Sequence, residues 1–187
     1  MNIHIHKLLP GSYANGPGKR NVVWLQGCTL RCPGCFNPLT HDSSAGKTIT
    51  TEKLFTELTT VPCDGVTISG GEPFQQPEAL LELLKLIREQ SSLPVLLFSG
   101  YSYTELTDDP ACSVCLPLID ALICGPYRQD LPPAYEHFCS SSNQELILLS
   151  DRYKKEDFGN LPLSEYIIDG EGNSVLSGIC LHKSVFS

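Results

Sequence analysis

Asn21-Val-Val-Trp-Leu-Gln-Gly-Cys-Thr-Leu-Arg-Cys-Pro-Gly-Cys-Phe-Asn37 runs an apolar stretch straight into three cysteines. Val22, Val23, Trp24 and Leu25 read as a buried strand over residues 21–26. Cys28, Cys32 and Cys35 follow with the spacing Cys-x3-Cys-x2-Cys, and Pro33 and Gly34 bend the chain so that three sulfurs can converge. Three thiolates in one loop can hold three irons of a [4Fe–4S] cluster and leave one iron open, whereas electron-carrier clusters take four cysteines. The same residues also read as three of the four ligands of a structural zinc, or as incidental or redox thiols. The loop follows the C-terminal end of its strand, where α/β folds place their ligands.

A second apolar run, Val66-Thr-Ile-Ser-Gly-Gly-Glu-Pro73, ends in two glycines that let backbone approach a ligand with no Cβ in the way. Working outward, Thr50 or Thr51 caps a helix to about Thr59 with Leu54, Phe55 and Leu58 on one face. Pro77 opens a helix to about Gln90 that buries Leu80, Leu81, Leu84 and Ile87. Pro94–Phe98 is a third strand ending in Ser99-Gly100-Tyr101. One or two short helices follow over residues 104–118, then strands over residues 120–124 and 146–149. Residues 164–177 read as a β-hairpin around a glycine turn.

Strand, helix, strand, helix is the order of parallel α/β units. Five or six mostly parallel strands in 187 residues fall short of a closed eight-stranded barrel, which needs at least about 200 residues. The expected fold is an α/β open partial (β/α) barrel with a C-terminal β-hairpin. We expect one domain over residues 1–187, with a core at about 13–150 and an extension at about 160–187.

The two motifs together are similar to those of the radical S-adenosylmethionine (radical SAM) superfamily. That resemblance implies a [4Fe–4S] cluster on Cys28, Cys32 and Cys35, with S-adenosyl-L-methionine on the open iron. It further implies cofactor contacts from Gly34, Cys35, Phe36, Gly70, Gly71, Glu72, Pro73 and Ser99. Asn15-Gly-Pro-Gly18, Arg20, Cys32-Pro-Gly-Cys35 with Phe36 and Asn37, and Ser141-Ser-Asn-Gln144 narrow the likeness. They resemble the activating proteins of the anaerobic (class III) ribonucleotide reductases. The superfamily usually carries an aromatic before the third cysteine, where this chain has Gly34; Cys124 stands where that family carries an aspartate. The likeness covers about residues 13–150. It implies reductive cleavage of S-adenosylmethionine to a 5′-deoxyadenosyl radical, which takes a hydrogen from a glycine of a partner glycyl-radical enzyme. No side-chain acid, base or nucleophile is required. An electron donor such as flavodoxin or ferredoxin is implied, as is an anoxic cytoplasm. The competing readings are a radical SAM enzyme for a small molecule or peptide, and a non-enzymatic iron–sulfur or zinc protein.

The net charge of −8 lacks the basic stripe of a nucleic-acid binder. No apolar stretch reaches the roughly 20 residues of a membrane helix, and the N-terminal residues lack the apolar core of a secretory signal. Of nine cysteines, Cys63, Cys112, Cys115, Cys124, Cys139 and Cys180 read mostly as small buried hydrophobes. Cys112-Ser-Val-Cys115 has the spacing of a metal or redox pair but no matching second pair.

Overall fold

The computed structural model describes residues 1–168, 171, 172 and 174–179. In chain order the regular elements are β1 (Asn2–Ser12), β2 (Arg20–Leu25), β3 (Lys47–Thr50), α1 (Thr51–Thr60), β4 (Gly65–Gly70), α2 (Pro77–Gln90), β5 (Val95–Phe98), α3 (Tyr103–Asp108), α4 (Pro110–Ser113), β6 (Ala121–Cys124), β7 (Glu145–Leu148), β8 (Ser164–Ile168) and β9 (Ser174–Gly178). β2, β4, β5 and β6 are parallel neighbours, with Val23, Ile68, Leu97 and Leu122 in register across them. Their near-continuous apolar sequences suit strands covered on both faces. β1 and β3 add antiparallel strands beyond β2, and β7 pairs antiparallel with β6. The sheet order is β3-β1-β2-β4-β5-β6-β7, with β3 and β7 as unclosed edges. The result is an open partial barrel of α/β type, with β8 and β9 as a separate hairpin.

The sheet is larger than expected and less parallel at its margins. In β1 the buried Ile3 and Ile5 alternate with His4 and His6, the period of a strand with one covered face. β7 returns antiparallel because no α-helix crosses back between it and β6.

Side-chain alternation divides the interior. Val23, Leu25, Val66, Ile68, Val95, Leu97 and Leu122 face α1 and α2. Leu96, Ala121 and Ile123 point the other way, onto Phe138, Tyr153 and Phe158. α1 starts where expected, with Thr50 Oγ1 accepting from Lys53 N at 3.2 Å, and α2 spans its expected limits. The buried stripe of α2 includes Leu83, whereas Leu81 is only half-buried, a correction to the expected set. Leu80, Leu83, Leu84 and Ile87 keep three-four spacing, and Leu81 is rotated out of that stripe.

Between β2 and β4 the face opposite the helices is polar. Arg20 is wholly buried there. Its Nε donates to Thr67 Oγ1 at 3.0 Å, one Nη to Tyr153 Oη at 2.6 Å, and the other to the carbonyls of Val66 and Pro94. Desolvation pulls its pKa down, opposed by the Tyr153 hydroxyl. A Cβ on Gly65 would lie 1.9 Å from the guanidinium, so only glycine leaves room for it.

The hairpin is tied back to the loop after β1. Glu165 accepts from the Ser12 hydroxyl and from the amides of Tyr13 and Ala14, the latter two at 3.0 and 3.3 Å. Asn15 Nδ2 donates to Ser177 Oγ at 2.7 Å. Asp169, Gly170 and Asn173 of the glycine turn, and Cys180, lie outside the described residues.

Candidate cofactor site

The C-terminal ends of the four parallel strands meet around one cavity. β2 leads to Cys28, Cys32, Cys35 and Phe36; β4 to Gly70, Gly71 and Glu72; β5 to Ser99 and Gly100; and β6 to Gly125 and Tyr127, all on the cavity wall. Gly34 and Pro73, expected at the cofactor, do not line it. Gly34 turns away against Gln129, and Pro73 is buried behind Glu72 at the start of a single 3₁₀ turn.

The two sequence motifs are clamped to each other through backbone. Gly71 N donates to Leu25 O at 2.8 Å and Glu72 N to Gly27 O at 2.9 Å. A Cβ on Gly71 would meet Gly27 O at 2.2 Å, so the close approach requires glycine. Gln26, wholly buried at the end of β2, donates from Nε2 to Leu39 O at 2.9 Å and Asp42 O at 2.7 Å and fixes the return of the cysteine loop. Gln75 reaches Thr29 and the Tyr101 hydroxyl. Phe36 packs on Tyr127 with ring centroids 4.8 Å apart. Arg31, between the first two cysteines, is exposed and borders a second, polar cavity that Cys28 and His41 also line.

The carboxylate of Glu72 is wholly buried and turned into the protein. It accepts from Phe74 N at 3.1 Å, Ser99 Oγ at 2.9 Å and Gly100 N at 2.7 Å. It thereby straps the end of β4 to the end of β5, and Ser99 commits its hydroxyl proton to that strap. Burial raises the Glu72 pKa to about 7 against the three donors, which pull it down. Its ordinary value is 4.5, so between that pH and about 7 the unfolded chain holds fewer protons than the folded one. The Glu72 contribution to stability therefore falls as pH rises through this window and levels off above it. Carboxyl-resolved carbon NMR should place its titration near 7, and Glu72→Gln should remove that slope from stability-versus-pH curves. A Glu72 midpoint at its ordinary value would contradict this.

The three loop thiols are half-buried and unbridged. Burial pushes up the pKa values of Cys28 and Cys35, and neighbouring loop thiols add to the shift. Cys28 and Cys35 are therefore poorly disposed to hold free thiolates and well disposed to receive a cationic centre that ionises them. Among the described residues no three His, Cys, Asp or Glu side chains converge on one metal ion. A cluster does not ask for that convergence, because each cysteine takes a separate iron; the donor set fits a [4Fe–4S] group better than a zinc ion. The part-exposed backbone of Gly70 and Gly71 beside these thiols suits a small zwitterionic ligand.

Among the described residues, Cys63, Cys112, Cys115, Cys124 and Cys139 do not line the cavity. Burial raises Cys112 to about 12 and Cys115 to about 11. Both pack in the helix-side core, and so does Cys124. Sequence reasoning passed over Trp24, His41, Phe98 and Ile179, which also line the cavity. Asn15 and Gln144 stood out only as parts of matching segments. Gln144 accepts from Ser140 N and Ser141 N and donates to Gly125 O, which shapes the loop after β6.

Comparison with known proteins agrees with this geometry. The profile of the 4Fe-4S single cluster domain family matches residues 14–147. The anaerobic ribonucleoside-triphosphate reductase-activating protein of Vibrio cholerae serotype O1 is 32% identical over 151 residues, covering 76% of this chain and 96% of that protein. The pyruvate formate-lyase-activating enzyme of Clostridium pasteurianum is 41% identical over 105 residues, covering 53% of this chain; the chain spans only 44% of that enzyme's length. In three dimensions QueE from Escherichia coli superposes with a TM-score of 0.52 at 18% identity, over 69% of this chain and 61% of QueE. No helix among the described residues is long and apolar enough to cross a membrane.

Proposed function

The chain belongs to the 4Fe-4S single cluster domain family of the radical SAM superfamily, and on that footing we propose that it activates a glycyl-radical enzyme, an anaerobic ribonucleotide reductase. The observation that carries this reading is the single cavity wall bearing Cys28, Cys32 and Cys35 beside the Gly70–Gly71 turn. Relatives matched along nearly their whole length carry the name of reductase-activating proteins. When bound, the cluster and S-adenosylmethionine supply the one-electron bond cleavage from which hydrogen abstraction at a glycine follows.

The chain's own residues bind and orient. Cys28, Cys32 and Cys35 ligate three irons. The backbone at Gly70 and Gly71 receives the amino acid end of S-adenosylmethionine, and Cys35 and Phe36 border it. Glu72 and Ser99 act at one remove, holding the ends of β4 and β5 at fixed separation. Trp24, Phe36, Phe98 and Tyr127 give the cavity an aromatic lining. The open edges of the sheet leave access for a large partner. All eight cysteines among the described residues are free thiols, which suits a reducing cytoplasm and a small electron-transfer protein such as flavodoxin or ferredoxin as donor. The charge of −8 speaks against nucleic acid as a partner.

The hairpin wall, outside residues 14–147, favours one second reading: a radical SAM enzyme with a small-molecule or peptide substrate. Anaerobic reconstitution with iron and sulfide, reduction, and incubation with a class III reductase separates the two. The expected result is a glycyl radical on the reductase by electron paramagnetic resonance, together with 5′-deoxyadenosine. Cofactor cleavage without a radical on the reductase would move the assignment to the second reading.

A further inference from the structure

Three buried side-chain atoms among the described residues, His41 Nε2, Glu82 Oε2 and Asn143 Oδ1, have no hydrogen-bond partner. Glu82 Oε2 lies 2.9 Å from the Met1 ammonium and is satisfied as an ion pair. Asn143 holds Pro126 O through its amide nitrogen and does not line the cofactor cavity. His41 differs from both. It borders the cavity of the three thiols and also the second, polar cavity, and Cys28 is the cysteine that shares both walls with it.

We propose that His41 is a positioning residue whose Nε2–H donates a hydrogen bond to the sulfur face of the cluster held by Cys28, Cys32 and Cys35. The inference rests on the cofactor reading above. A buried polar nitrogen without a partner costs about 1–3 kcal/mol, so an imidazole placed in this way points to a partner that arrives with a ligand, and in the tautomer protonated at Nε2 that partner is an acceptor. The acidic groups nearby are already engaged. Glu72 accepts three hydrogen bonds, and Asp42 accepts from Ser44 N and Ser44 Oγ at 2.9 and 2.7 Å. Cys28, Cys32 and Cys35 border the same cavity as His41, so a cluster on them would bring sulfur acceptors to that wall.

The residue is also held in place. Cys28 N donates to His41 O at 3.4 Å and His41 N to Pro38 O at 3.2 Å. Thr40, buried beside it, donates from Oγ1 to Asn37 O at 2.7 Å. Gln26 grips the carbonyls on either side of it, at Leu39 and Asp42. A donor fixed this way raises the reduction potential of an iron–sulfur centre, because the extra electron strengthens hydrogen bonds to sulfur.

The test is an anaerobic redox titration of the loaded protein, followed by electron paramagnetic resonance, on wild type, His41→Leu and His41→Gln. The leucine variant should show a ratio of reduced to oxidised cluster about tenfold lower at a fixed potential, which for one electron is 59 mV. The glutamine variant, whose amide can donate, should recover most of that shift. An unchanged potential in a fully loaded His41→Leu protein would overturn the proposal. So would loss of iron from both variants, which would make His41 a ligand or a fold element. If leucine loses iron and glutamine keeps both iron and potential, the donor role stands. Failure of wild type to take up iron would instead sink the cofactor reading itself.

Discussion

Alanine at Cys28, Cys32 or Cys35 is expected to abolish stable cluster loading, with S-adenosylmethionine cleavage at least about 100-fold down, beyond the 10–100-fold typical of losing an outer partner of a metal site. The measurements are iron and sulfide content, visible absorbance and 5′-deoxyadenosine formation after identical reconstitution. The three thiols are only half-buried and lie in a loop held by backbone contacts. Their loss should therefore leave the thermal stability of the iron-free protein within about 1 kcal/mol of wild type. Cys112→Ala is the opposite case. Its thiol is buried in the helix-side core, so it should lower stability by about 1 kcal/mol or more and leave iron content unchanged. Full iron loading in any one of the loop variants would remove that cysteine from the ligand set.

Arg20→Ala should lower stability far more than any of these cysteine substitutions, by about 3–5 kcal/mol, from the void it leaves and the buried acceptors it strands. For a chain of this size that is a fall in melting temperature of about 6–20 °C. The guanidinium is wholly buried, and its partners are neutral: Thr67, Tyr153 and the carbonyls of Pro17, Val66 and Pro94. Removing it leaves a void and strips a donor from each of them. Gly65 makes the void wider, having no Cβ. The effect should reach the cavity, because Arg20 holds Thr67, which donates to Asn15 O at 2.8 Å, and Asn15 lines the cavity. Arg20→Met fills the space with no charge to desolvate and should be less damaging. Equal melting temperatures for Arg20→Ala and wild type, measured without cofactors, would refute a structural role for the buried guanidinium.

How much of the fold and site is legible in the sequence follows from the range of each signal. The cysteine loop, the Gly-Gly turn and α2 announce themselves within a dozen residues, through thiol spacing, an apolar run and a proline at the first helical position. β1 does not, because Ile3 and Ile5 alternate with two histidines and gain their meaning only from pairing with β2 and β3. Glu72 belongs to a motif visible in the sequence. That its carboxylate reaches Ser99 and Gly100 rather than outward depends on β4 and β5 lying side by side. His41 has no local mark at all; a histidine in a polar loop looks solvated until Gln26 is seen to fold that loop back. The hairpin is legible as a hairpin, but its place beside the cavity is not. The pairs that put it there, Ser12 with Glu165 and Asn15 with Ser177, are separated by 153 and 162 positions.

Those separations set an order of events in synthesis. Contacts that distant form late, since a long segment must be closed before they yield any stabilisation. The cysteine loop and the parallel strands through Cys124 leave the ribosome well before Ser164 does. At about 5–20 residues per second the intervening stretch takes roughly 2–8 s to emerge. Throughout that interval the nascent cavity is missing the side that Gly178 and Ile179 later supply. The cavity therefore gains its last wall, at Gly178 and Ile179, only after every other element around it has been made.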